Sequence, residues 1–305
     1  MSHNNGGVTG LSKLMADIKK AAEIAGAPCQ DDLVWDILNA YETYFLEEGV
    51  CFRITTKPTP ELNVRYITLR SNDPYAVALE HGFLTRTDHP VHESIDELRR
   101  LWPDAGYLID IGVTHGFEKI WAYFVDPLTI EEACALENMP PSFKNHMDLY
   151  KKYELNWVSV IGVDYLSNTM NPYFVSGTFP IDTEIAAQLT EDMGFPRPSE
   201  EDNVFNGSSF VMYPTFSWES DVVERVSFGH AGPQDQVPTH WNPLFNKFAK
   251  EVSLSSEHRT FTFNTCYGRN MPNYYKLEAD YYGNIFAKTG VLVENAIKTA
   301  QAARQ

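Results

Sequence analysis

The chain has 305 residues, 13% of them aromatic, and sets 24 lysines and arginines against 41 aspartates and glutamates, a formal charge of −17. So acidic a surface excludes nucleic-acid backbones and anionic membranes as principal partners, but not a small anion held by local cations. The length would allow two domains, yet a closed barrel readily uses this much chain in one.

Residues 1–10 are polar and glycine-rich and read as a disordered tip, with one domain over 11–305. Cys29, Cys51, Cys134 and Cys266 lack metal-ligand spacing and are too sparse for a disulfide scaffold, so free thiols are expected. No secretory core, arginine-rich leader or membrane-spanning run is visible, and a cytoplasmic protein is the expectation.

An apolar stripe predicts a helix over 11–26, and a second helix is expected over 31–45. Asp31, Asp32 and Asp36 invite comparison with the metal-binding aspartates of isoprenoid enzymes. Acidic groups at a helix start are favoured by the helix dipole, and capping and surface roles are the preferred reading of these three. Strands over 50–55 and 62–69 flank a proline-containing turn, with Arg53 and Arg65 at their middles. Helices are predicted over 73–80 and 93–102, then a strand pair over 107–113 and 118–125. On the second member Lys119, Trp121 and Tyr123 alternate with apolar neighbours, as between a filled interior and an outer helical layer.

Helices over 128–136 and 144–153 precede strands over 157–164 and 171–179, where Pro172 argues for an edge or an irregularity. A helix over 181–193 follows. The sequon at Asn206 reads as a turn. Strands over 210–218 and 222–228, a loop over 229–239, a helix over 241–252, a strand over 259–267 and a C-terminal helix over 284–303 complete the chain. Near the end, Tyr274, Lys276 and Glu278 fall on one face of a strand over 274–278, with Tyr275 and Leu277 on the other.

A helix followed by two strands thus recurs about five times. Antiparallel pairs joined through helices can close into a barrel with helices outside, an α+β architecture that removes exposed edges. Arg53, Arg65, Lys119, Arg225 and Lys276 recur at strand centres among aromatic residues. Facing one cavity, they would repel one another unless anions or hydrogen bonds compensated, and a diphosphate compensates well. Asn171, Tyr173 and Tyr213 add neutral donors; Trp121, Phe210, Tyr274 and Tyr281 supply ring walls. A cationic floor beside ring faces suits ionisation of an allylic diphosphate.

The segments Gly49-Val50-Cys51-Phe52-Arg53, Glu61-Leu62-Asn63-Val64-Arg65 and Gly116-Phe117-Glu118-Lys119-Ile120-Trp121 open a pattern that continues through Asn171-Pro172-Tyr173-Phe174. It ends with Tyr213-Pro214-Thr215 through Arg225 and Tyr274-Tyr275-Lys276-Leu277-Glu278. Their order and spacing resemble the soluble aromatic prenyltransferases of the ABBA barrel family, the CloQ- and NphB-like group. The resemblance implies ten antiparallel strands closed into a barrel, substrates bound inside it, and transfer of a prenyl group to an electron-rich aromatic acceptor. It makes Arg53, Arg65, Lys119, Asn171, Tyr173, Tyr213, Arg225 and Lys276 the diphosphate ligands. It makes Glu278 the group that orients the acceptor or takes its proton. Members using magnesium carry an aspartate at the position of Asn63 and a small hydroxyl residue at that of Arg65. The departure here implies the magnesium-independent branch, with no cofactor and no obligatory metal.

Trp121 is bulkier than the tyrosine at the matching place in a geranyl-using relative, which favours dimethylallyl diphosphate as donor. A dihydroxynaphthalene, a phenazine or a hydroxybenzoate would fit as acceptor, and a monomer is expected. The competing expectation is a non-catalytic carrier of an aromatic anion. His81, His89, His92, His230, His240 and His258 form no metal motif, which counts against a metal hydrolase.

Overall fold

The computed structural model describes residues 10–175, 181–198 and 211–303. Helices α1 (Gly10–Ala25), α2 (Asp31–Ala40) and α3 (Glu42–Glu47) lead into strands β1 (Gly49–Thr55) and β2 (Leu62–Ile67). Next come α4 (Pro74–Glu80), α5 (Pro90–Leu101), β3 (Gly106–Gly112) and β4 (Gly116–Thr129). Short helices α6 (Ile130–Ala135), α7 (Pro141–Lys144) and α8 (Met147–Lys152) precede β5 (Trp157–Asp164) and β6 (Thr169–Val175). Then follow α9 (Thr183–Asp192), β7 (Val211–Ser217), β8 (Arg225–Pro233), α10 (Pro243–Glu251), β9 (Thr260–Gly268), β10 (Tyr274–Asp280) and α11 (Ile285–Ala302).

Each strand pairs antiparallel with its sequence neighbour, and β1 pairs with β10, so the sheet closes into a ten-stranded barrel. Closure leaves no unpaired edge, the expected benefit of this architecture. The large apolar core is not inside the barrel. It fills the annulus between the strands' outward residues, such as Phe52, Ile54, Val64, Ile120 and Phe174, and helix residues such as Leu14, Ile18, Ile37 and Phe45. Strand alternation therefore leaves the opposite face free for polar groups. The smaller apolar cluster contains Cys51, Ile67, Leu108, Trp121, Val160 and Ile285.

Several elements differ from expectation for local reasons. The helix expected over 31–45 breaks at Tyr41, whose φ of −116° leaves the helical region. Asp31 lies in the first turn of α2 and pairs with Lys19 at 2.5 Å on the surface, so the dipole and ion-pair reading fits it. The helix expected over 144–153 forms as α8 (Met147–Lys152), and a separate short helix, α7 (Pro141–Lys144), precedes it. β8 runs on through Gly229 to Pro233, pairing with β9 as far as Thr260, so the loop expected from 229 begins later. Pairing with a long neighbour there overrides the local glycine and proline composition.

Pro172 lies mid-strand in β6, where the ladder to β7 is interrupted between the pairs Met170–Phe216 and Phe174–Met212. Its partner across the gap is Pro214, so two residues without an N–H face each other. The Asn171 amide fills the gap, donating to the Pro214 carbonyl at 3.1 Å and to Thr215 Oγ1 at 2.6 Å. Asn206 lies outside the described residues. Among the described residues no helix is long and apolar enough to cross a membrane.

Candidate active site

Register brings side chains from distant segments into rows across the barrel wall. Arg65 on β2 pairs with Asp110 on β3, Asp110 with Lys119 on β4, and Lys119 with Asp164 on β5. Positive and negative groups alternate along this row. Arg53 NH2 lies 2.7 Å from Asp110 Oδ2, Arg65 Nε 3.7 Å from Asp110 Oδ1, and Lys119 Nζ 2.6 Å from Asp164 Oδ2. Arg65 also reaches Glu278 on β10 at 3.0 Å, so one guanidinium bridges two carboxylates. Such pairs offset the large cost of burying each charge alone.

A cavity of about 180 Å3 occupies the barrel interior. All five sequence-nominated cations, Arg53, Arg65, Lys119, Arg225 and Lys276, line it, as do Asn171, Tyr173, Tyr213 and Glu278. Lys276 Nζ donates to the Tyr213 hydroxyl at 3.2 Å, which donates to Asn264 Oδ1 at 3.1 Å. Neither Lys276 nor Arg225 forms an ion pair among the described residues, unlike the three other cations. Burial drives the Lys276 ammonium well below its usual pKa, and Arg225, Arg53 and Lys119 add repulsion.

The aromatic wall is equally ordered. The Trp121 indole donates to the Tyr173 hydroxyl at 2.9 Å, and Tyr173 stacks on Tyr213 with centroids 4.4 Å apart. The Arg65 guanidinium lies 4.8 Å from the Trp121 ring centroid. The indole can lie flat because its cross-strand partner is Gly162, where a Cβ would meet Trp121 Nε1 at 2.5 Å.

Two nominated wall residues sit elsewhere. Tyr281 points outward, packing on Phe52 and donating to Asp17 of α1 at 2.7 Å. It is an odd number of residues from Lys276 and Glu278, which places it on the other face of the strand. Tyr274 shares their face but does not line the cavity. Its ring lies behind the cations, 5.8 Å from Lys276 Nζ, 6.0 Å from the Arg225 guanidinium and 5.2 Å from Lys57 Nζ. Phe210 lies outside the described residues.

Asp110, Asp164 and Glu118 belong to this interior network, and the half-buried Lys57 lies at its edge over the Tyr274 ring, although none of the four is nominated by the sequence pattern. Isolated acids within or at the end of strands, Asp110 inside β3 and Asp164 closing β5, were the available signal for the first two. Glu118 depends on a register shift in β4 beside Asp110 and Ile111, which lets Glu118 and its neighbour Lys119 both turn inward. It accepts from Asn63 Nδ2 at 2.7 Å. Burial, reinforced by the Asp110 charge, pushes its carboxyl up to about 7. Lys57 lies in the β1–β2 turn and pairs with Glu61 at 3.2 Å.

No group of three or more metal-ligating side chains occurs among the described residues. At the position matching the family's metal ligand, the Asn63 amide is committed to Glu118, and Arg65 occupies the neighbouring inward position as a fixed cation. This donor set does not fit a magnesium ion.

A helix-wrapped closed barrel holding a cation-lined, ring-walled cavity is the architecture of a soluble aromatic prenyltransferase. The chain belongs to that family: the family described as Aromatic prenyltransferase Orf2 matches residues 9–289. It is 33% identical over 264 residues to the 5,10-dihydrophenazine-1-carboxylate 9-dimethylallyltransferase of Streptomyces anulatus, covering 83% of this chain and 87% of that one. It is also 33% identical over 224 residues to the furaquinocin biosynthesis prenyltransferase of Streptomyces sp. strain KO-3988, covering 72% and 73%. Among solved structures, the apo prenyltransferase PriB superposes with a TM-score of 0.62 at 11% identity, covering 88% of this chain and 96% of that one. The last likeness speaks for the fold alone.

Proposed function

We propose that the protein transfers a dimethylallyl group from dimethylallyl diphosphate to an electron-rich carbon of an aromatic acceptor, a dihydroxynaphthalene or a related fused phenol. The observation that carries this reading is the division of charge in the cavity. Arg53, Arg65 and Lys119 are compensated by carboxylates, whereas Arg225 and Lys276 stand without a carboxylate partner among the described residues. The unmatched pair suits a diphosphate, and the rings of Trp121, Tyr173 and Tyr213 lie beside it.

In the proposed reaction the C1–O bond of the donor breaks and the electron pair leaves on the diphosphate. Arg225, Lys276 and the Tyr213 hydroxyl stabilise that charge as it develops. The allylic cation is held against ring faces, which favour positive charge. A ring carbon of the acceptor forms the new C–C bond, and loss of the proton at that carbon restores aromaticity. Glu278, on the cavity wall and held by Arg65 at 3.0 Å, is the proposed acceptor-orienting group and proton acceptor. Trp121 lines the cavity, and its bulk relative to the tyrosine of a geranyl-using relative would shorten a tail pocket there, which supports a five-carbon donor. The Asn63 amide and Arg65 cation support catalysis without a metal.

Incubation with dimethylallyl diphosphate and a panel of phenols, followed by mass spectrometry, tests the reading. A transferred five-carbon unit and released diphosphate, undiminished by EDTA, are expected. Binding without conversion would favour a carrier, and activity restored only by added magnesium would overturn the metal-free assignment.

A further inference from the structure

Glycine is the poorest helix former after proline, so one inside a helix calls for a reason. Gly290 lies within α11 (Ile285–Ala302), and neither usual reason applies to it. Its φ is not positive, and a Cβ built on it would have no heavy atom within 4 Å. At Gly49, by contrast, a Cβ would meet Ile285 Cγ1 at 2.8 Å, so that glycine lets α11 approach β1 closely. The space beside Gly290 belongs to the barrel cavity, which Gly290 lines together with Ile285, Thr289, Leu292 and Val293 of the same helix.

This helix closes the end of the cavity remote from the unmatched cations. Gly49, at one end of β1, touches α11, while Thr55, at the other, pairs with Lys276. Six residues of strand separate those ends by about 20 Å. Lys288, the cation on this part of α11, is turned to Glu48 at 2.6 Å and does not line the cavity. The α11 end therefore offers apolar surface and one hydroxyl. Thr289 Oγ1 spends its proton on the Ile285 carbonyl at 2.9 Å and keeps lone pairs free to accept.

We propose that Gly290 is a specificity-determining residue: its missing side chain is the clearance that admits a flat, fused-ring phenolic acceptor against α11, with Thr289 able to accept from a phenol. This rests on the transferase reading and assigns that site's acceptor class to a particular wall. A single-ring acceptor needs less of the clearance, so a side chain at 290 discriminates by size.

Full-length Gly290→Leu and Gly290→Ala variants test it, with dimethylallyl diphosphate as donor and 1,6-dihydroxynaphthalene or 4-hydroxybenzoate as acceptor. For Gly290→Leu the ratio of kcat/KM for the two-ring over the one-ring acceptor falls by about tenfold or more, the discrimination expected of a few methylenes in a pocket. The donor KM stays within about twofold, because the diphosphate end is untouched. For Gly290→Ala the same ratio falls less while Tm rises by about 2 °C, since the helix gains and nothing clashes. Opposite movements of stability and large-acceptor turnover are not what a structural role would give. An unchanged ratio in Gly290→Leu overturns the proposal, as does an equal loss for both acceptors together with a raised donor KM. Quenching of tryptophan fluorescence by dihydroxynaphthalene keeps the two readings separable. If the wild type binds the naphthol without prenylating it and Gly290→Leu weakens that binding, the transferase reading fails and the clearance stands.

Discussion

Lys276→Met and Arg65→Met remove one buried cation each from the same cavity, and the structure gives them opposite effects on stability. Lys276 is 7% exposed and meets the Tyr213 hydroxyl and two ring faces, those of Tyr213 and Tyr274. Its folded pKa lies below the unfolded value, so the unfolded chain binds more protons. Stability therefore rises with pH across the interval from the folded pKa up to about 10.4. Methionine fills similar volume without the charge, removing that slope and raising stability at neutral pH by about 1–2 kcal/mol. Arg65→Met instead strands Glu278 and half of Asp110's compensation, a loss of about 3 kcal/mol or more. On the proposed reading Lys276→Met also loses a charge-assisted contact to the diphosphate worth about 1.5–3 kcal/mol, a fall of about 10–150-fold in donor kcat/KM. Urea denaturation at several pH values and steady-state kinetics read the two effects separately. The reasoning fails if Lys276→Met destabilises the fold as Arg65→Met does, or if its donor kcat/KM stays within about threefold of wild type.

Pyrophosphate binding should take up protons at pH values above the depressed Lys276 pKa, because the anion restores the ammonium there. Calorimetry in buffers of different ionisation enthalpy measures the uptake, and a Lys276→Met variant should lose most of it. Glu118 gives a second pH effect of known sign. With its carboxyl raised to about 7, the folded chain holds a proton that the unfolded chain has released above its ordinary value. That contribution is full at low pH and disappears as pH climbs through 7, costing up to about 3 kcal/mol. Glu118→Gln keeps an acceptor for Asn63 and should flatten the decline between pH 5 and 8 in urea titrations. Glu278→Gln should lower kcat with a phenolic acceptor by about 10²-fold or more and leave pyrophosphate affinity nearly unchanged. Normal turnover in that variant would remove Glu278 from the mechanism.

Much of the barrel was legible because its determinants are local. The period-two pattern over β10 separates Tyr274, Lys276 and Glu278 from Tyr275 and Leu277, and the strand presents them that way. Pro172 announced an irregular ladder, and the β6–β7 gap lies there. The same rule excludes Tyr281 from the interior, since it differs from Lys276 by an odd number of positions; closeness in sequence groups these aromatics as one wall, whereas they span two faces. What local pattern could not reveal was pairing. Asp110 and Asp164 acquire meaning from the strands beside them, and register is fixed by closure of all ten strands. Glu118 faces inward because of a bulge that breaks the alternation on which sequence reading depends.

The interior carboxylates explain how a cavity built for an anion can exist before the anion arrives. Five cations facing one small space would oppose folding if each stood alone. Register answers this by seating Asp110 between Arg65 and Lys119 and Asp164 beyond Lys119, so charges alternate around half the barrel. Compensation stops short of Lys276 and Arg225, where hydrogen bonding from the lysine and the Tyr213 and Tyr274 ring faces lessens the cost without cancelling charge. Complete pairing would stabilise the empty barrel and leave a diphosphate little to gain on entering. Leaving all five unmatched would endanger the fold. In the proposed reaction the fixed pairs hold the wall in place, and the two unpaired cations make binding and departure of the anion energetically consequential at the carbon where the bond breaks.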